Sequence, residues 1–257
     1  MAKTLITVNG TYRNVKDGFI TVDGEYRRIK DAYITVNGVY KPVWSSYDPV
    51  FANNTWEQIA EACRTRQVPD TWAVGDQKVM TIGGTDYLID IIGKDHDDYA
   101  DGSGKAPLTF QLHDCYGTKY KMQTYGSNNG GWTNCLMRSE YIPRIFNLLP
   151  TIVQNSIRDV VKMTSKGNLE DEIVSSTDKL FLLSEIEVFG KRTYSKAGEG
   201  EQYSYYKTHS VLKGEPTQWW NRSPGNNNFT YCVVHNTGVA ITYDAGTSLG
   251  VSFAFCF

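Results

Sequence analysis

The sequence predicts an α+β protein in which a small all-β module precedes a larger mixed domain. One motif of fourteen residues occurs three times near the N-terminus. Apolar residues then recur at helical spacing after Thr55 and again over 141–163. Val251–Phe257 has the alternating pattern of a β-strand. We therefore expect a hairpin module over 1–47 and a second domain over 48–257.

Short local signals predict several elements of the second domain. Thr55 is expected to cap the helix that follows it, with Gln58 completing a capping box. Gly83-Gly84 between two β-rich runs predicts a hairpin turn. Residues 108–112 and the apolar run 179–184 are expected to be strands.

The segment 141–163 is expected to contain two helices. Pro150 is expected at the first helical position of the second helix, which continues through Val160 and Val161. A Gly/Ser/Asn loop over 126–131 precedes this segment.

Three tandem copies of the motif make up the N-terminal module. They cover 6–19, 20–33 and 34–47 without a gap. Each copy carries Asn-Gly or Asp-Gly between β-branched and aromatic residues, which is a strong hairpin signal. Because one hairpin is too small to be stable alone, such repeats often need neighbouring copies. We expect residues 1–47 to attach the protein to other subunits or to form a homotrimer; packing on their own chain is the alternative.

The glycines at the turns bear on hairpin geometry. Gly10, Gly24 and Gly38 are expected to supply the positive φ that such turns require. A two-residue loop would place Val8 opposite Thr11, whereas a three-residue loop would place it opposite Tyr12. The apolar pattern favours the three-residue loop.

Charge and composition exclude several classes of partner. The net charge of -2 gives no reason to expect binding to nucleic acid. No apolar stretch approaches the roughly 20 residues that a membrane-spanning helix needs. The first residues lack the hydrophobic core of a secretory signal, so we expect synthesis and folding in a cytoplasm without membrane insertion.

The sequence predicts no cofactor and no metal site. Its five cysteines are odd in number and form no C-x-x-C pair, so we expect buried thiols. The acidic stretch 95–101 does not match a calcium-binding EF-hand loop. Counted from Asp97, Tyr99 occupies a ligand position and Leu108 replaces the closing Glu. We expect these Asp side chains to bind their own backbone.

Catalytic motifs are not found either. The chain has no G-x-S-x-G element and no glycine-rich phosphate-binding loop, and its four histidines are scattered. We therefore predict that the protein is not an enzyme. If it hydrolysed a surface glycan instead, Glu185 and Asp244 would be the first residues to test.

The C-terminal region from about 219 to 257 has an unusual composition. From Pro216 to the end only Arg222 and Asp244 carry a formal charge. Asn, Thr, Tyr, Ser and Gly dominate the middle of this region, as they do in antibody paratopes. This composition favours a binding surface held by an aromatic frame, and an ordinary terminal hairpin is the alternative.

Several strings resemble a family of bacterial and phage proteins with a C-type-lectin-like fold. The main ones are LFLLSEIEVFG (180–190), WWNRSP (219–224) and GVSFAFCF (250–257). The strings TWAVGD, IIGKDHDDYADG and APLTFQL extend the resemblance back towards Asn54. The family includes variable proteins of diversity-generating retroelements and receptor-binding proteins of phage tails. The calcium motif of sugar-binding lectins and the cysteine pair of formylglycine-generating enzymes, which share the fold, are not recognisable here.

The resemblance also implies which residues bind ligand. In such variable proteins a reverse transcriptase mutates adenines in the 3′ end of the gene, so Asn codons become codons for Tyr, Asp, Ser, Thr or His. The solvent-facing, ligand-binding residues implied are Asn221, Asn226, Asn227, Asn228, Thr230, Tyr231, His235, Asn236, Thr237, Ile241 and Tyr243. The frame implied beneath them consists of Trp219, Trp220, Arg222, Pro224, Gly250, Phe253 and Phe255.

The resemblance implies a tail-associated receptor-binding protein of a phage or prophage, made in the bacterial host cytoplasm and located in the virion. Its ligand would be a protein or glycan on a bacterial surface, and residues 1–47 would contact other virion or tail subunits. A structural tail or decoration protein without a ligand is the alternative, and a surface-glycan hydrolase comes third.

Overall fold

A computed structural model describes the protein over 5–8, 11–14, 18–29, 31–36, 39–45, 47–214 and 217–257. Its contacts divide the chain into two units, Met1–Asn54 and Thr55–Phe257. Helices and antiparallel sheets are both present, which confirms the α+β class. In the part that the structure describes, no helix has the length and apolar character needed to cross a membrane.

The first unit contains three β-hairpins, followed by a 3₁₀ turn at Phe51–Asn53. The strands are β1 (Leu5–Val8), β2 (Thr11–Asn14), β3 (Gly18–Val22), β4 (Glu25–Ile29), β5 (Asp31–Val36) and β6 (Val39–Ser45). Each consecutive pair forms its own antiparallel two-stranded sheet. One hairpin therefore corresponds to each copy of the repeat.

The predicted three-residue hairpin loop is wrong. Each hairpin has a two-residue loop, as its pairs beside the loop show: Val8 with Thr11, Val22 with Glu25 and Val36 with Val39. In the second hairpin Asp23 and Gly24 have φ values of 54° and 80°. Two consecutive positive values are those of a type I′ turn, whose twist matches that of the flanking strands. Gly10 and Gly38 lie outside the described residues.

Where the structure describes it, the second unit is built on three antiparallel sheets. Its strands are β7 (Gln77–Ile82), β8 (Thr85–Lys94), β9 (Leu108–Leu112), β10 (Val160–Ser165), β11 (Ile173–Asp178), β12 (Leu180–Phe181), β13 (Trp219–Pro224), β14 (Thr230–Val234), β15 (Ala240–Asp244) and β16 (Ala254–Cys256). A five-stranded sheet has the order β12-β16-β9-β8-β7. A three-stranded sheet has the order β13-β14-β15, and β10 pairs with β11.

Within the described residues of this unit, four short α-helices accompany these sheets. They are α1 (Trp56–Arg64), α2 (Ile142–Phe146), α3 (Thr151–Ser156) and α4 (Glu185–Phe189). Further helical turns are a π-helical turn at Met137–Tyr141 and 3₁₀ turns at Gly131–Asn134 and Ser204–Lys207. The predicted capping box of α1 is confirmed, because Thr55 and Gln58 exchange side-chain and main-chain hydrogen bonds.

Two further local predictions are confirmed and one is wrong. Gly83 and Gly84 form the turn between β7 and β8, and the predicted strand Leu108–Leu112 is β9. The second helix was expected to continue through Val160 and Val161, but it ends at Ser156, and these two residues begin β10. Adjacent β-branched side chains fit a strand better than a helix.

Pro150 was predicted at the first helical position of this segment, and that placement is also wrong. It is the N-cap residue of α3, with an extended ψ of 138°. A residue at the N-cap has non-helical backbone angles while its carbonyl accepts a helical hydrogen bond. Here the Pro150 carbonyl accepts from the Gln154 N–H at 3.0 Å.

The last strand lies in the middle of the core. β16 is hydrogen-bonded to β12 on one side and to β9 on the other. Every residue of 251–257 is buried, so the alternating sequence does not correspond to one buried and one exposed face. Phe255 stacks on Phe110 with ring centroids 5.2 Å apart, and Trp56 meets Phe110 edge-on at 5.9 Å.

Candidate functional site

The predicted aromatic frame is buried throughout. Trp219, Trp220, Arg222, Pro224, Gly250, Phe253 and Phe255 all lie in the interior. The indole N–H of Trp219 donates to the Val211 carbonyl at 3.1 Å, and that of Trp220 donates to the Tyr120 carbonyl at 2.8 Å. Strand β13 is therefore fixed by its main chain and by its side chains.

Arg222 is the centre of a buried network of charges. Its guanidinium makes two hydrogen bonds to the Glu187 carboxylate, at 2.5 and 2.9 Å, and Nε donates to the Thr164 hydroxyl. Its remaining N–H groups donate to main-chain carbonyls of Met163, Leu182 and Glu199. Every donor nitrogen is thus used, as a fully buried cation requires.

A second ion pair continues this network. The Lys162 ammonium lies 2.7 Å from an oxygen of Asp97 and 2.7 Å from an oxygen of Glu187. The Tyr203 hydroxyl donates to the Asp97 carboxylate at 2.9 Å. Two cations face two anions here, so the buried charges of these four residues balance.

The prediction that the acidic stretch 95–101 binds its own backbone is wrong for Asp97. Asp101 does accept a hydrogen bond from the Ser103 N–H at 3.0 Å, as expected. The Asp97 carbonyl, in contrast, accepts from the Ala106 N–H at 2.8 Å, close to the start of β9. Its carboxylate accepts from the Thr109 hydroxyl of β9 at 2.6 Å. Asp97 therefore belongs to the core.

The buried position of Asp97 predicts that the stability of the fold depends on pH in the acid range. Burial alone would raise the pKa of Asp97, but the Lys162 ammonium and the Thr109 hydroxyl outweigh burial and lower it to about 2. Because the folded pKa lies below the unfolded value, Asp97 stabilises the fold above about pH 4, and this contribution of about 2 kcal/mol is lost as the pH falls towards 2. We expect urea unfolding of Asp97→Asn to depend less on pH between 4 and 2 than that of the exposed-site control Asp70→Asn. Equal slopes would contradict the assignment.

Glu185 is also buried, and its carboxylate serves a structural purpose. It accepts hydrogen bonds from the main-chain N–H groups of Thr193, Tyr194 and Ser195, and from the Ser195 hydroxyl at 2.6 Å. These bonds fix the loop that follows α4. The carboxylate proposed as a glycan-hydrolysing group is thus enclosed by this loop, whereas Asp244 is exposed.

All five cysteines are free thiols. Four are buried as expected, namely Cys63, Cys135, Cys232 and Cys256, whereas Cys115 is half-buried. Burial raises the pKa of the Cys115 thiol to about 12 and that of Cys135 to about 12. Both thiols are therefore protonated at neutral pH and are poor nucleophiles.

Eight of the eleven predicted ligand-binding residues reach the surface. Asn226, Asn228 and Thr237 are exposed. The half-buried members are Asn227, His235, Asn236, Ile241 and Tyr243. We name residues 226–229 and 235–244 the display edge. It comprises the turn before β14, the turn after it, and β15.

Asn221, Thr230 and Tyr231 were expected to face solvent, and this expectation is wrong. Thr230 and Tyr231 are buried because β14 is the central strand of its sheet, with β13 and β15 on either side. The Tyr231 hydroxyl donates to the Gly131 carbonyl at 3.0 Å. Asn221 lies on β13, which is buried over its whole length.

The side chain of Asn221 gives a stability prediction. Its side-chain oxygen and nitrogen are both buried without a hydrogen-bond partner among the described residues. Burying an unpaired amide costs about 1–3 kcal/mol. We expect the similarly sized substitution Asn221→Leu to raise the free energy of unfolding by about 1–2 kcal/mol in urea denaturation. A matched change at exposed Asn155 should have no such effect, and a loss of stability in Asn221→Leu would refute the reasoning.

The display edge follows one side of a short antiparallel ladder. β15 pairs with β14 from Thr230 opposite Asp244 to Val234 opposite Ala240. Ile241 and Tyr243 point to the same face because side chains two apart on a strand share a face. The two turns lie at opposite ends of β14, about 17 Å apart for a five-residue strand. The surface is therefore elongated.

A buried asparagine outside the predicted set positions one end of the display edge. Asn128 Nδ2 donates to the carbonyls of Asn227 and Thr230 at 2.6 and 2.9 Å. Its Oδ1 accepts from the Asn168 N–H at 2.8 Å, and its own N–H donates to the Asn228 carbonyl. Sequence reasoning identified this region only as a Gly/Ser/Asn loop. The Asn residues within that loop were the sequence feature from which a hydrogen-bonding role could have been predicted.

Two large side chains at the same end were also missed. Phe229 is 49% exposed and Tyr125 is 70% exposed. A Cβ placed on Gly246 would lie 3.6 Å from the Tyr125 Cα, so Tyr125 lies beside the turn that follows β15. Exposed aromatic side chains of this kind are frequent at binding surfaces. Phe229 was recognisable in the sequence because it interrupts a polar run.

The second unit is thus an α+β domain of antiparallel sheets with a polar, weakly charged edge. The model of the family described as a domain of unknown function (DUF6273) matches residues 108–257, and the chain belongs to this family. The match begins at β9 and includes Arg222 and the display edge. No curated protein and no solved structure matches the chain.

Proposed function

We propose that the protein is a receptor-binding protein of a phage or prophage tail, in which a C-type-lectin-like domain presents the display edge to a bacterial surface. One observation carries the proposal. The display edge is exposed or half-exposed, whereas β13 and β14, which support it, are completely buried. Exposed side chains on such an edge, such as those of Asn226 and Asn228, can change without disturbing the core.

The chemistry of the display edge supports recognition. No residue from 225 to 243 carries a formal charge, and Asn, Thr, His and Tyr supply hydrogen-bonding groups. Tyr243 and Phe229 add aromatic area that loses little rotamer entropy on binding. This composition also suits the variable region of a diversity-generating retroelement protein, in which adenine-rich codons are exchanged.

The hairpins of the first unit would attach the protein to other tail subunits or form a homotrimer. Three copies of a weak site on one particle gain avidity, because the second and third contacts form at high effective concentration. The display edge can therefore function with modest affinity at each site.

The proposal is tested by binding to intact cells. We expect the fluorescently labelled full chain to bind some strains in a panel of bacteria. A variant with Asn226, Asn228, His235 and Tyr243 changed to Ala should lose at least about tenfold in affinity, which corresponds to about 1.4 kcal/mol. Its melting temperature should change by only a few degrees, since exposed positions contribute little to stability.

A matched control places alanines elsewhere on the surface, at exposed Asn147, Thr151 and Asn155. This variant should bind as the parent does. Equal binding by the display-edge variant would remove the assignment. If the display edge were instead protected from labelling in assembled particles and no strain were bound, the structural alternative would be favoured.

The DNA beside the gene tests the retroelement assignment. A near-repeat of the 3′ end that differs at adenines, next to a reverse-transcriptase gene, is the expected finding. A tail-gene cluster without them would support a receptor-binding protein that does not diversify by this route.

A further inference from the structure

β15 forms one side of the three-stranded sheet. It pairs with β14 on one side, and within the described residues no strand pairs with its other side. All its residues are exposed or half-buried. The outer side of β15 is therefore a sheet edge within the display edge.

The hydrogen-bond pattern shows which main-chain groups face outward. The His235 N–H donates to the Val239 carbonyl, and the Ala245 N–H donates to the Phe229 carbonyl, both at 2.9 Å. In an antiparallel ladder every second residue of a strand bonds to the neighbouring strand. Because Val239 and Ala245 are bonded, Ile241 and Tyr243 between them are the β15 residues that bond to β14.

The other residues of β15, which alternate with Ile241 and Tyr243, point their main-chain groups away from β14. These are Ala240, Thr242 and Asp244. Among the described residues, no hydrogen-bond partner is found for the N–H or C=O of Ala240 or Thr242. The Asp244 carbonyl accepts from the Thr247 N–H in the turn that follows. A short row of unpaired main-chain groups therefore remains along the outer side.

This edge lacks the usual protection against pairing with another chain. Natural edge strands carry Lys, Pro, bulges or inward-pointing charges that block strand addition. β15 has the sequence Ala-Ile-Thr-Tyr-Asp, and its register with β14 is unbroken over five pairs. Its only charge is Asp244, at the end of the strand.

We propose that β15 binds its ligand by strand addition, and that the ligand is an extended, uncharged segment of a bacterial surface protein. This inference rests on the proposed receptor-binding function and names the class of receptor. The segment would exchange main-chain hydrogen bonds with Ala240 and Thr242, and alternate side chains would contact Ile241 and Tyr243. Main-chain hydrogen bonds provide the affinity in this mode and side-chain contacts provide the specificity.

A second copy of this chain fits the edge less well. Two five-residue strands joined edge to edge would share only a few main-chain hydrogen bonds. A stable dimer usually buries about 1,200–2,000 Å². A receptor segment can also contact Tyr125 and Phe229 beyond the end of the strand, where both side chains are exposed.

The decisive variant is Thr242→Pro. Proline removes the outward N–H of residue 242 and leaves the bonds of Ile241 and Tyr243 to β14 in place, and proline is tolerated on edge strands in this orientation. Thr242→Val is the matched control, because it keeps the N–H. With intact cells of a bound strain as the probe, we expect Thr242→Pro to lose at least about tenfold in affinity. Thr242→Val changes only the side chain of this display-edge residue, so its loss should be much smaller than that of Thr242→Pro.

Ala240→Pro is the second variant, for use if Thr242→Pro does not fold. The N–H of residue 240 also points outward and is removed by this substitution. The melting temperature of each variant identifies a folding defect. Normal binding by a folded proline variant would overturn the inference. So would a parent oligomer that dissociates in Thr242→Pro during sedimentation, because a second copy would then occupy the edge.

Treatment of the cells separates this inference from the function on which it rests. Proteinase K should abolish binding, whereas periodate, which oxidises sugars, should leave it unchanged. Binding that survives proteinase K and is lost after periodate would overturn strand addition and keep a receptor-binding protein with a glycan ligand. If the parent chain binds no strain in the panel, both the function and the inference are rejected.

Discussion

Replacement of Arg222 by Leu should lower the free energy of unfolding by about 3–5 kcal/mol, the range expected when one partner of a buried ion pair is removed. The substitution leaves the Glu187 carboxylate with one cation in place of two. It also removes the Arg222 donor from three main-chain carbonyls, of which those of Leu182 and Glu199 are buried. Urea unfolding followed by tryptophan fluorescence measures the change.

Two further variants control this prediction. Arg144→Leu removes an exposed pair with Glu140, and should cost less than about 0.5 kcal/mol. The double variant Arg222→Leu, Glu187→Leu removes both charges of the closest pair, and should recover part of the loss. A loss below about 1 kcal/mol in Arg222→Leu would show that the network does not hold the frame.

The second large effect is expected at Trp220. Its side chain is fully buried, and its indole N–H donates to the carbonyl of Tyr120, which lies 100 residues earlier in the sequence. Trp220→Ala should cost about 3–5 kcal/mol, because it leaves a large cavity and removes one of the two donors to the Tyr120 carbonyl, which keeps its bond from the Leu249 N–H. Thermal unfolding should show a correspondingly large fall in melting temperature.

The matched comparison is Phe229→Ala on the display edge. Phe229 is half exposed, so this substitution should cost less than about 1 kcal/mol while weakening binding to cells. The opposite pattern, a stable Trp220→Ala and an unstable Phe229→Ala, would show that the frame and the display edge have been assigned the wrong way round.

Local features of the fold were predictable where one short signal decides the structure. The Gly83-Gly84 turn and the Thr55–Gln58 capping box are of this kind, since each depends on residues close in sequence. The Ser184-x-x-Glu187 box of α4 offered the same signal. It was missed because the apolar run before it indicated a buried strand, which the structure shortens to Leu180–Phe181.

The candidate site was predictable only in part, for a physical reason. Composition indicated the polar turns, but the burial of Thr230 and Tyr231 depends on which strand is central in the sheet. That order is set by pairing between distant segments, as is the contact of Lys162 with Asp97 across 65 residues. No local pattern in one sequence records such contacts.

The interior position of β16 in its sheet has a consequence for truncated chains. The gene segment that encodes the display edge lies upstream of the codons for residues 254–256, which form the strand between β12 and β9 in the five-stranded sheet. A stop codon or frameshift within the display edge therefore removes the strand that joins β12 to β9, and the shortened polypeptide cannot close its core. Only polypeptides translated in frame through the display edge can therefore complete the five-stranded sheet and reach the native state.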